Sequence, residues 1–251
     1  MTVALEFEGR RAVVVGAGSG IGLATTRMLV MRGASVLGVA RSASGLEAIR
    51  SMGADALGSD ATQRDGREAI VHEAGPTDHL VLAHGETTGH PIDEVTEGDF
   101  NRLIGANLQS VFFLVQAFAP RLPDVGSIVM VASTAAKTGN IPEVAVYAAA
   151  KAGVLSLTRS FASAHSARGM RVNAVCPGII DTPMQRRFLE LNAPLQGTTP
   201  EALNAKRLQA TPMRRAGTPD ECAEVICFLL SDRASYLTGQ NLNVAGGFVT
   251  W

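Results

Sequence analysis

The feature that most constrains this 251-residue chain is a short apolar run that leads directly into a glycine-rich turn. Ala12-Val13-Val14-Val15 has the composition of a strand that is buried on both faces. The turn at residues 16–22 reads GAGSGIG, and Leu23–Arg32 continues with helical character. A strand, a glycine turn and a helix in this order direct helix N–H groups at a phosphate. Nucleotide binding is therefore predicted here, with a tight loop that binds nothing as the alternative.

The spacing of the glycines departs from the dinucleotide fingerprint G-x-G-x-x-G. That fingerprint needs a glycine at position 21, where Ile21 stands. The pattern present is G-x-x-x-G-x-G, through Gly16, Gly20 and Gly22.

Apolar segments that end in small or polar residues alternate with helical segments along the whole chain. This alternation predicts an α/β fold, a Rossmann-type doubly wound parallel sheet of about seven strands, in one domain over residues 1–251. The further predicted strands are Ser35–Ala40, Ala54–Gly58, His79–Ala83, Ser127–Ala132, Arg171–Cys176 and Asn241–Val244. The further predicted helices are Gln63–Ala74, Asp99–Pro120, Val144–Ala167, two short helices within Met184–Gln209, and Pro219–Leu230.

Composition excludes several classes of function. The net charge is −1 and no run of like charge occurs, so neither nucleic-acid binding nor electrostatic membrane docking is expected. No apolar stretch is long enough to span a bilayer. The first six residues lack a basic segment, so no signal peptide is expected. The three cysteines have no metal-binding spacing and indicate reduced thiols in a cytoplasmic protein, and no metal site is predicted.

The end of the second strand predicts which nicotinamide nucleotide is bound. An acid at this place accepts a hydrogen bond from the 2′-hydroxyl of NAD, whereas an arginine accommodates the 2′-phosphate of NADP. The sequence has no acid here and has Arg41, followed by Ser42 and Ser44, which could help to hold a phosphate. NADP(H) is therefore favoured over NAD(H), the alternative being that Arg41 is simply solvated.

Two polar residues have open interpretations. Asp60 follows the third strand, where it could accept a hydrogen bond from an adenine amino group or cap a helix. Thr62 is a candidate N-cap for the helix Gln63–Ala74. Asn107 interrupts a long helix, where it could hold a water, bridge backbone groups or be exposed.

Tyr147 and Lys151 lie four residues apart, with three alanines between them. On a helix this spacing places both side chains on one face. A fixed ammonium beside a phenol is expected to lower the tyrosine pKa from its usual value of ~10. The pair is thus a candidate acid/base device.

The order of these motifs resembles the classical short-chain dehydrogenase/reductase family over essentially the whole chain, and especially 3-oxoacyl-carrier-protein reductases. The motifs are the glycine turn, Ser133 after the fifth strand, Tyr147-x-x-x-Lys151, and Pro177-Gly178 after the sixth strand. The resemblance implies that Tyr147 is the general acid or base and that Lys151 lowers its pKa and binds the nicotinamide ribose. It implies that Ser133 donates to the substrate oxygen and that Asn107 holds a relay water.

The resemblance also implies a set of residues that contact the cofactor. These are Gly16, Ser19, Gly20, Ile21, Gly22, Arg41, Ser42, Asp60, Ala61, Ala83, Gly85, Tyr147, Lys151, Pro177, Gly178, Ile179 and Thr182.

The sequence departs from the family pattern in three places, of which the first is Val15, where the family has Thr before the first glycine. The family usually has Asn-Asn-Ala-Gly after the fourth strand, whereas this chain has LAHG at residues 82–85. His84 is either a packing variant, which is favoured, or a residue that tunes the site. Ser133 and Tyr147 are also one residue farther apart than the family spacing, so either Ile141–Val146 carries an insertion or Thr134 is the catalytic hydroxyl. The length of the run from Ser133 to Gly139 favours Ser133.

The resulting hypothesis is an NADP(H)-dependent oxidoreductase that interconverts a ketone and a secondary alcohol. The alternatives are an NAD-dependent alcohol, polyol or cyclic diol dehydrogenase and a non-catalytic nucleotide-binding regulatory protein. Residues 184–211 are expected to form a substrate lid, in which Arg186 and Arg187 could meet an acidic group but are more simply explained as solvated. A small-molecule carbonyl or alcohol substrate and a homo-oligomer, tetrameric or dimeric, are expected.

Overall fold

The backbone forms one seven-stranded sheet in which every pair of neighbouring strands is parallel. The computed structural model describes residues 5–139 and 141–251. The strands are β1 Arg11–Val15, β2 Ser35–Ala40, β3 Asp55–Gly58, β4 His79–Leu82, β5 Ser127–Val131, β6 Arg171–Pro177 and β7 Asn241–Val244. Their order in the sheet is β3-β2-β1-β4-β5-β6-β7. The predicted doubly wound sheet of about seven strands is confirmed.

Helices connect the strands, and nearly all of them lie where the sequence predicts them. One helix that the sequence does not predict, α2, begins after Ser42, whose Oγ accepts a hydrogen bond from the Gly45 N–H. The helices are α1 Gly20–Met31, α2 Ala43–Ser51, α3 Arg64–Ala74, α4 Glu97–Ile104, α5 Ser110–Phe118, α6 Ala145–His165, α7 Pro183–Leu195, α8 Pro200–Gln209 and α9 Pro219–Leu230.

Alternating residues of the central strand β1 face two separate cores. Val13 and Val15 belong to the core beneath α3, α5 and α6. Ala12 and Val14 belong to the core beneath α1, α2 and α9. Full burial of one such valine or leucine is worth about 1.5–3 kcal/mol, so a strand that is apolar at every position stabilises both layers. The protein is therefore a three-layer sandwich with the sheet in the middle.

The long helix predicted over Asp99–Pro120 is interrupted. Helix α4 is capped by Thr96 and is followed by a π-helical turn over Gly105–Gln109, after which α5 continues. A π-turn inserts an extra residue into the hydrogen-bond ladder and redirects the side chains that it carries. Asn107 lies in this turn and is fully buried, so the interpretation of Asn107 as an exposed residue is wrong.

The predicted cap at Thr62 is also wrong. The residue that precedes α3 is Gln63, which makes no side-chain cap. The Thr62 hydroxyl instead donates to Asp60 Oδ1 at 2.8 Å.

No helix in the described part of the chain is long and apolar enough to cross a bilayer. Residues 1–4, on which the expectation of no signal peptide largely rests, lie outside the described residues.

Buried histidines make the fold sensitive to acid. Burial lowers the pKa of His79, at the start of β4, to about 4 from its ordinary value of 6.5. The folded state therefore favours the neutral ring, and this stability is complete above pH 6.5 and is lost as the pH falls toward 4. We expect the free energy of unfolding, measured in urea, to fall across this window by about 1.4 kcal/mol per pH unit for this group.

Two variants test whether His79 causes this pH dependence. His79→Gln should reduce the slope of the unfolding free energy against pH between pH 6.5 and 4, leaving the part that the buried His84 contributes. His72→Gln, at a side chain that is 89% exposed, should leave the slope unchanged. An identical slope in the His79 variant would show that this ring does not carry the effect.

Candidate active site

The carboxyl ends of the strands border one large cleft of about 1120 Å³. It opens between β1 and β4, where the winding of the sheet reverses, which is where ligands bind in open α/β sheets. Helices α7 and α8 cover its far side, and all but two of the residues predicted to form the site line it. The two that do not line it are Gly22, which supports the glycine turn, and Asn107, which lies behind Gly85.

The glycine turn at the start of α1 has the shape that a bound phosphate requires. A Cβ at Gly22 would lie 2.1 Å from the Gly16 carbonyl oxygen, so no other residue fits there. Gly16 has φ +87°, and a Cβ on it would lie 2.5 Å from the backbone nitrogen of His84. Ser19 is the N-cap of α1 but makes no side-chain cap, so the first N–H groups of α1 and its hydroxyl open into the cleft. This cradle fits the pyrophosphate of a dinucleotide.

Arg41 lies where the sequence predicts the adenosine end of the cofactor. Its guanidinium is 68% exposed and lies 3.9 Å from Asp60 Oδ2. Burial raises the pKa of Asp60, but hydrogen bonds from Thr62 and the charge of Arg41 outweigh this effect and lower the pKa overall. Ser42 and Ser44 line the same part of the cleft. Asp60 thus forms a local turn and faces Arg41, and it does not cap a helix.

Asn107 bridges backbone groups, one of the roles left open by the sequence. Its Nδ2 donates to the carbonyls of Glu86 and Leu103, both at 3.0 Å, and its Oδ1 accepts from the Glu86 N–H at 3.1 Å. Because both amide hydrogens are used, the side chain could hold a relay water only through Oδ1. A Cβ at Gly85 would lie 2.6 Å from Oδ1 and 3.3 Å from Lys151 Nζ. Both atoms therefore face the space that Gly85 leaves open.

Ser133, Thr134 and Tyr147 have different surroundings. Ser133 ends the β5 segment, accepts a hydrogen bond from the Ala135 N–H and lies against the Tyr147 phenol. Thr134 is buried and donates to the Pro177 carbonyl at 3.3 Å. The structure thus directs the Ser133 hydroxyl at the phenol and the Thr134 hydroxyl away from it.

Burial dominates the pKa values of both Tyr147 and Lys151. Burial raises the pKa of Tyr147, and the hydrogen bond to Ser133 opposes this shift. Lys151 Nζ donates to the Val131 carbonyl at 2.8 Å and lies 5.7 Å from the centre of the tyrosine ring. Burial also lowers the pKa of this ammonium to about 8. The pKa of Tyr147 is thus raised in this arrangement, because burial dominates and Lys151 is not among the groups that shift it, and the role of Lys151 in lowering that pKa stays a prediction.

His84 lines the cleft, where Ser110, directly after the π-turn, holds its ring. Its Nε2 lies 2.8 Å from Ser110 Oγ, and that hydroxyl donates to the Ala106 carbonyl at 2.9 Å. Ser110 must therefore accept from Nε2–H, which leaves Nδ1 as a buried acceptor without a partner among the described residues. Burial, with the charges of Lys151 and Arg41, lowers the pKa of His84 to about 3. The ring is neutral at physiological pH, which favours the packing interpretation over acid/base chemistry.

The remaining predicted residues lie on the opposite wall of the cleft. Pro177, Gly178 and Ile179 continue β6, and the Gly178 N–H donates to the Val244 carbonyl at 3.0 Å. Thr182 caps α7 by accepting from the Gln185 N–H at 3.2 Å. The Thr182 methyl group lies 3.1 Å from the Cβ position of Gly20, so the two walls meet there. Ala61, Ala83 and Ile21 line the cleft between these points.

The structure adds residues that sequence reasoning misses. Arg207 on α8 faces the cleft, with its guanidinium 4.2 Å from the centre of the Phe188 ring. Gln185 lines the same wall, and its Nε2 is buried without a partner among the described residues. No motif marks these positions, since α7 and α8 carry ordinary amphipathic patterns.

Two chemistries are not represented near the cleft. No group of three or more His, Cys, Asp or Glu side chains within residues 5–139 and 141–251 could hold a metal ion. Cys176, Cys222 and Cys227 are unpaired and buried, and burial raises the pKa of each thiol. None of these thiols is poised as a nucleophile.

The fold and the site together define a class of protein. A phosphate cradle at the switch point of a parallel sheet, with a phenol, a hydroxyl and an amine farther along the same cleft, is the arrangement of a nicotinamide-dependent oxidoreductase.

Comparison with known proteins narrows this class to a family. The family model described as Enoyl-(Acyl carrier protein) reductase matches residues 16–249. The 3-oxoacyl-[acyl-carrier-protein] reductase FabG of Thermotoga maritima is 35% identical over 98% of this chain and 100% of its own. The chain belongs to the short-chain dehydrogenase/reductase family, and it is an oxidoreductase that acts on CH–OH groups with a nicotinamide cofactor.

Solved structures agree with this assignment. Levodione reductase superposes with a TM-score of 0.87 at 31% identity, covering 96% of this chain and 98% of its own. A blue fluorescent protein from a metagenomic library, solved in complex with NADPH, superposes with a TM-score of 0.86 at 28% identity, covering 98% of this chain and 100% of its own. These findings support an enzyme rather than the non-catalytic alternative, with interconversion of a ketone and an alcohol as its reaction class.

Gly85 provides a test of the packing around Asn107. In Gly85→Ala the new methyl group would collide with Asn107 Oδ1, so we expect the free energy of unfolding to fall by about 1–3 kcal/mol. Gly98→Ala in α4 is the matched control, because its Cβ would meet only Thr96 Oγ1, at 3.7 Å. That variant should be about 0.5 kcal/mol more stable than the parent. Equal stabilities in urea unfolding would contradict the close approach at Gly85.

Proposed function

We propose that the protein is an NADP(H)-dependent oxidoreductase that interconverts a ketone and a secondary alcohol, with Tyr147 as the proton donor and acceptor. The observation that carries this proposal is the meeting of Ser133 and Tyr147 on the cleft that the glycine turn opens. The bound nicotinamide would supply the hydride for reduction or receive it in oxidation. The chain itself would orient the substrate and move the proton.

Tyr147 and Ser133 would act on the substrate oxygen. In reduction, negative charge develops on the carbonyl oxygen, and the Ser133 hydroxyl would donate to it. The raised pKa of the Tyr147 phenol keeps its proton in place until that charge appears, and the phenol then donates the proton. Oxidation runs the same transfers in reverse, with the phenolate as the base.

Lys151 and Asn107 would supply the next proton. The Lys151 ammonium has a pKa of about 8, close to physiological pH, and faces the space beside Gly85. Asn107 Oδ1 faces the same space and would hold a water there. A proton could pass through that water to the phenol once Tyr147 has lost its own.

Cofactor choice would be set at the end of β2. The exposed guanidinium of Arg41, the hydroxyls of Ser42 and Ser44, and the N–H groups at the start of α2 surround one part of the cleft. All are donors suited to the 2′-phosphate of NADP, and no acid follows β2 directly to accept from a 2′-hydroxyl. The neighbouring Asp60 would order Arg41.

Residues 184–211 would form the substrate lid. Phe188, Leu189, Ala193 and Leu203 form a small core of their own with Val144, separate from the two cores of the sheet. Tyr147 packs against this cluster, so movement of α7 and α8 would open or close the cleft at the reacting group.

The variant Tyr147→Phe tests the mechanism. Removal of the proton donor should lower kcat by at least about 10²-fold, while the Kd for NADPH stays near the parent value. The measurement is the loss of NADPH absorbance with a panel of ketones, alongside calorimetric binding of NADPH. Tyr236→Phe is the control, since Tyr236 is the one other tyrosine and is fully exposed.

Two outcomes would contradict the proposal. Undiminished turnover in Tyr147→Phe would exclude the phenol as the proton donor. Preference for an enoyl thioester over every ketone would redirect the hydride to a carbon–carbon double bond, the reaction that the family model's description names.

The variant Arg41→Ala tests the cofactor assignment. We expect its Kd for NADPH to rise by about tenfold or more, with the Kd for NADH unchanged, because the guanidinium would contact only the 2′-phosphate. Arg64→Ala, at an exposed arginine paired with Glu68, is the control. Tighter binding of NADH than NADPH by the parent protein would identify an NAD-dependent dehydrogenase instead.

A further inference from the structure

We infer that Arg207 is a specificity-determining residue that binds a carboxylate on the substrate, so that the preferred substrates are oxo acids or hydroxy acids. This inference rests on the proposed function. It concerns the wall of the cleft that α7 and α8 form.

The guanidinium of Arg207 lacks the partners that a buried cation normally has. It makes no ion pair and donates no side-chain hydrogen bond among the described residues, and its Nη1 is buried. An arginine that is partly removed from water gains from an anion or several acceptors, because desolvation of an uncompensated charge is costly. Burial lowers the pKa of Arg207 only to about 10, so the cation persists at neutral pH.

The setting of Arg207 is preorganised. Its guanidinium lies against the Phe188 ring, which holds the side chain toward the cleft. The amide of Gln185 on the neighbouring helix also has a buried, unused donor in the same wall. A planar guanidinium matches the two oxygens of a carboxylate, and a second donor nearby adds selectivity for such a group.

The groups around Arg207 suit an organic acid. Lys206 and Glu143 also line the cleft, and Glu143 forms no ion pair with Arg207 in the described structure. A carboxylate would neutralise Arg207. The neighbouring Phe188 and Leu203 provide an apolar surface for the carbon chain of an acid.

The arginines that the sequence suggests for this role are occupied or exposed. Arg186 Nη1 lies 2.9 Å from Asp181 Oδ1, and the Arg186 side chain is 62% exposed. Arg187 lies 3.8 Å from Glu190 and is equally open to solvent. Arg186 is therefore a suitable control for loss of a cation from the same lid.

The test compares ketones that differ only in charge. The probes run from 4-oxopentanoate to 7-oxooctanoate, each with its methyl ester, assayed with NADPH and the full chain. The parent protein should favour at least one acid over its ester in kcat/KM by about tenfold or more. Arg207→Met keeps the stem on Phe188 and should abolish this preference, chiefly through KM, while the ester is reduced as before. Arg207→Lys should retain part of the preference, and Arg186→Met all of it.

Several results would overturn the inference. One is equal kcat/KM of the parent protein for acid and ester. A second is an equal loss of kcat/KM for acid and ester in Arg207→Met. A third is a rise in the Kd of Arg207→Met for NADPH that matches its loss of kcat/KM. Preference of the parent protein for dihydroxyacetone phosphate over the acids would show that Arg207 binds a phosphate and not a carboxylate.

Binding separates failure of this inference from failure of the proposed function. If no ketone is turned over, calorimetry on the NADPH-saturated parent and Arg207→Met proteins still compares each acid with its ester. Tighter binding of an acid to the parent, lost in the variant, would uphold the carboxylate site without the proposed reaction. Equal binding of acid and ester would refute it.

Discussion

Burial of the parallel strands on both faces is the constraint on which the rest of this structure depends. The strand β1 pairs its backbone with neighbouring strands and packs its side chains against helices on either side, so Ala12–Val15 can all be apolar. The polar groups that border the cleft lie at the carboxyl edge of the sheet. The glycine turn, Ser133 and the loop at Gly85 all leave the sheet at that edge, and a single cleft results.

A second layer of constraint positions the polar groups within the cleft. The π-turn in the helix after β4 directs Asn107 inward, where its amide ties the Glu86 loop to α4. His84 is bonded to Ser110 at the end of the same turn and stays neutral. Lys151 is held by the Val131 carbonyl. Except for the local bond from Asn107 to Leu103, these hydrogen bonds join segments that are distant in sequence, so the site is as rigid as the packing around it.

The lid has a different character. Helices α7 and α8 share a small core of their own and meet the sheet at few buried positions. Such a unit can vary without disturbing the cradle or the proton-transfer groups, which is how one fold serves many substrates. The guanidinium of Arg207, which has no ion-pair partner among the described residues, belongs to this part of the structure.

The sequence by itself determined the architecture and most of the candidate site. Strand periodicity, the glycine spacing and the Tyr147–Lys151 pair are local patterns, and local patterns specify strands, turns and helix faces. Only the tertiary structure decided how groups from distant segments meet. The π-turn, the orientation of Ser133 against Thr134, the raised pKa of Tyr147 and the exposure of Arg207 to the cleft depend on desolvation and long-range contacts, which no spacing along the chain encodes.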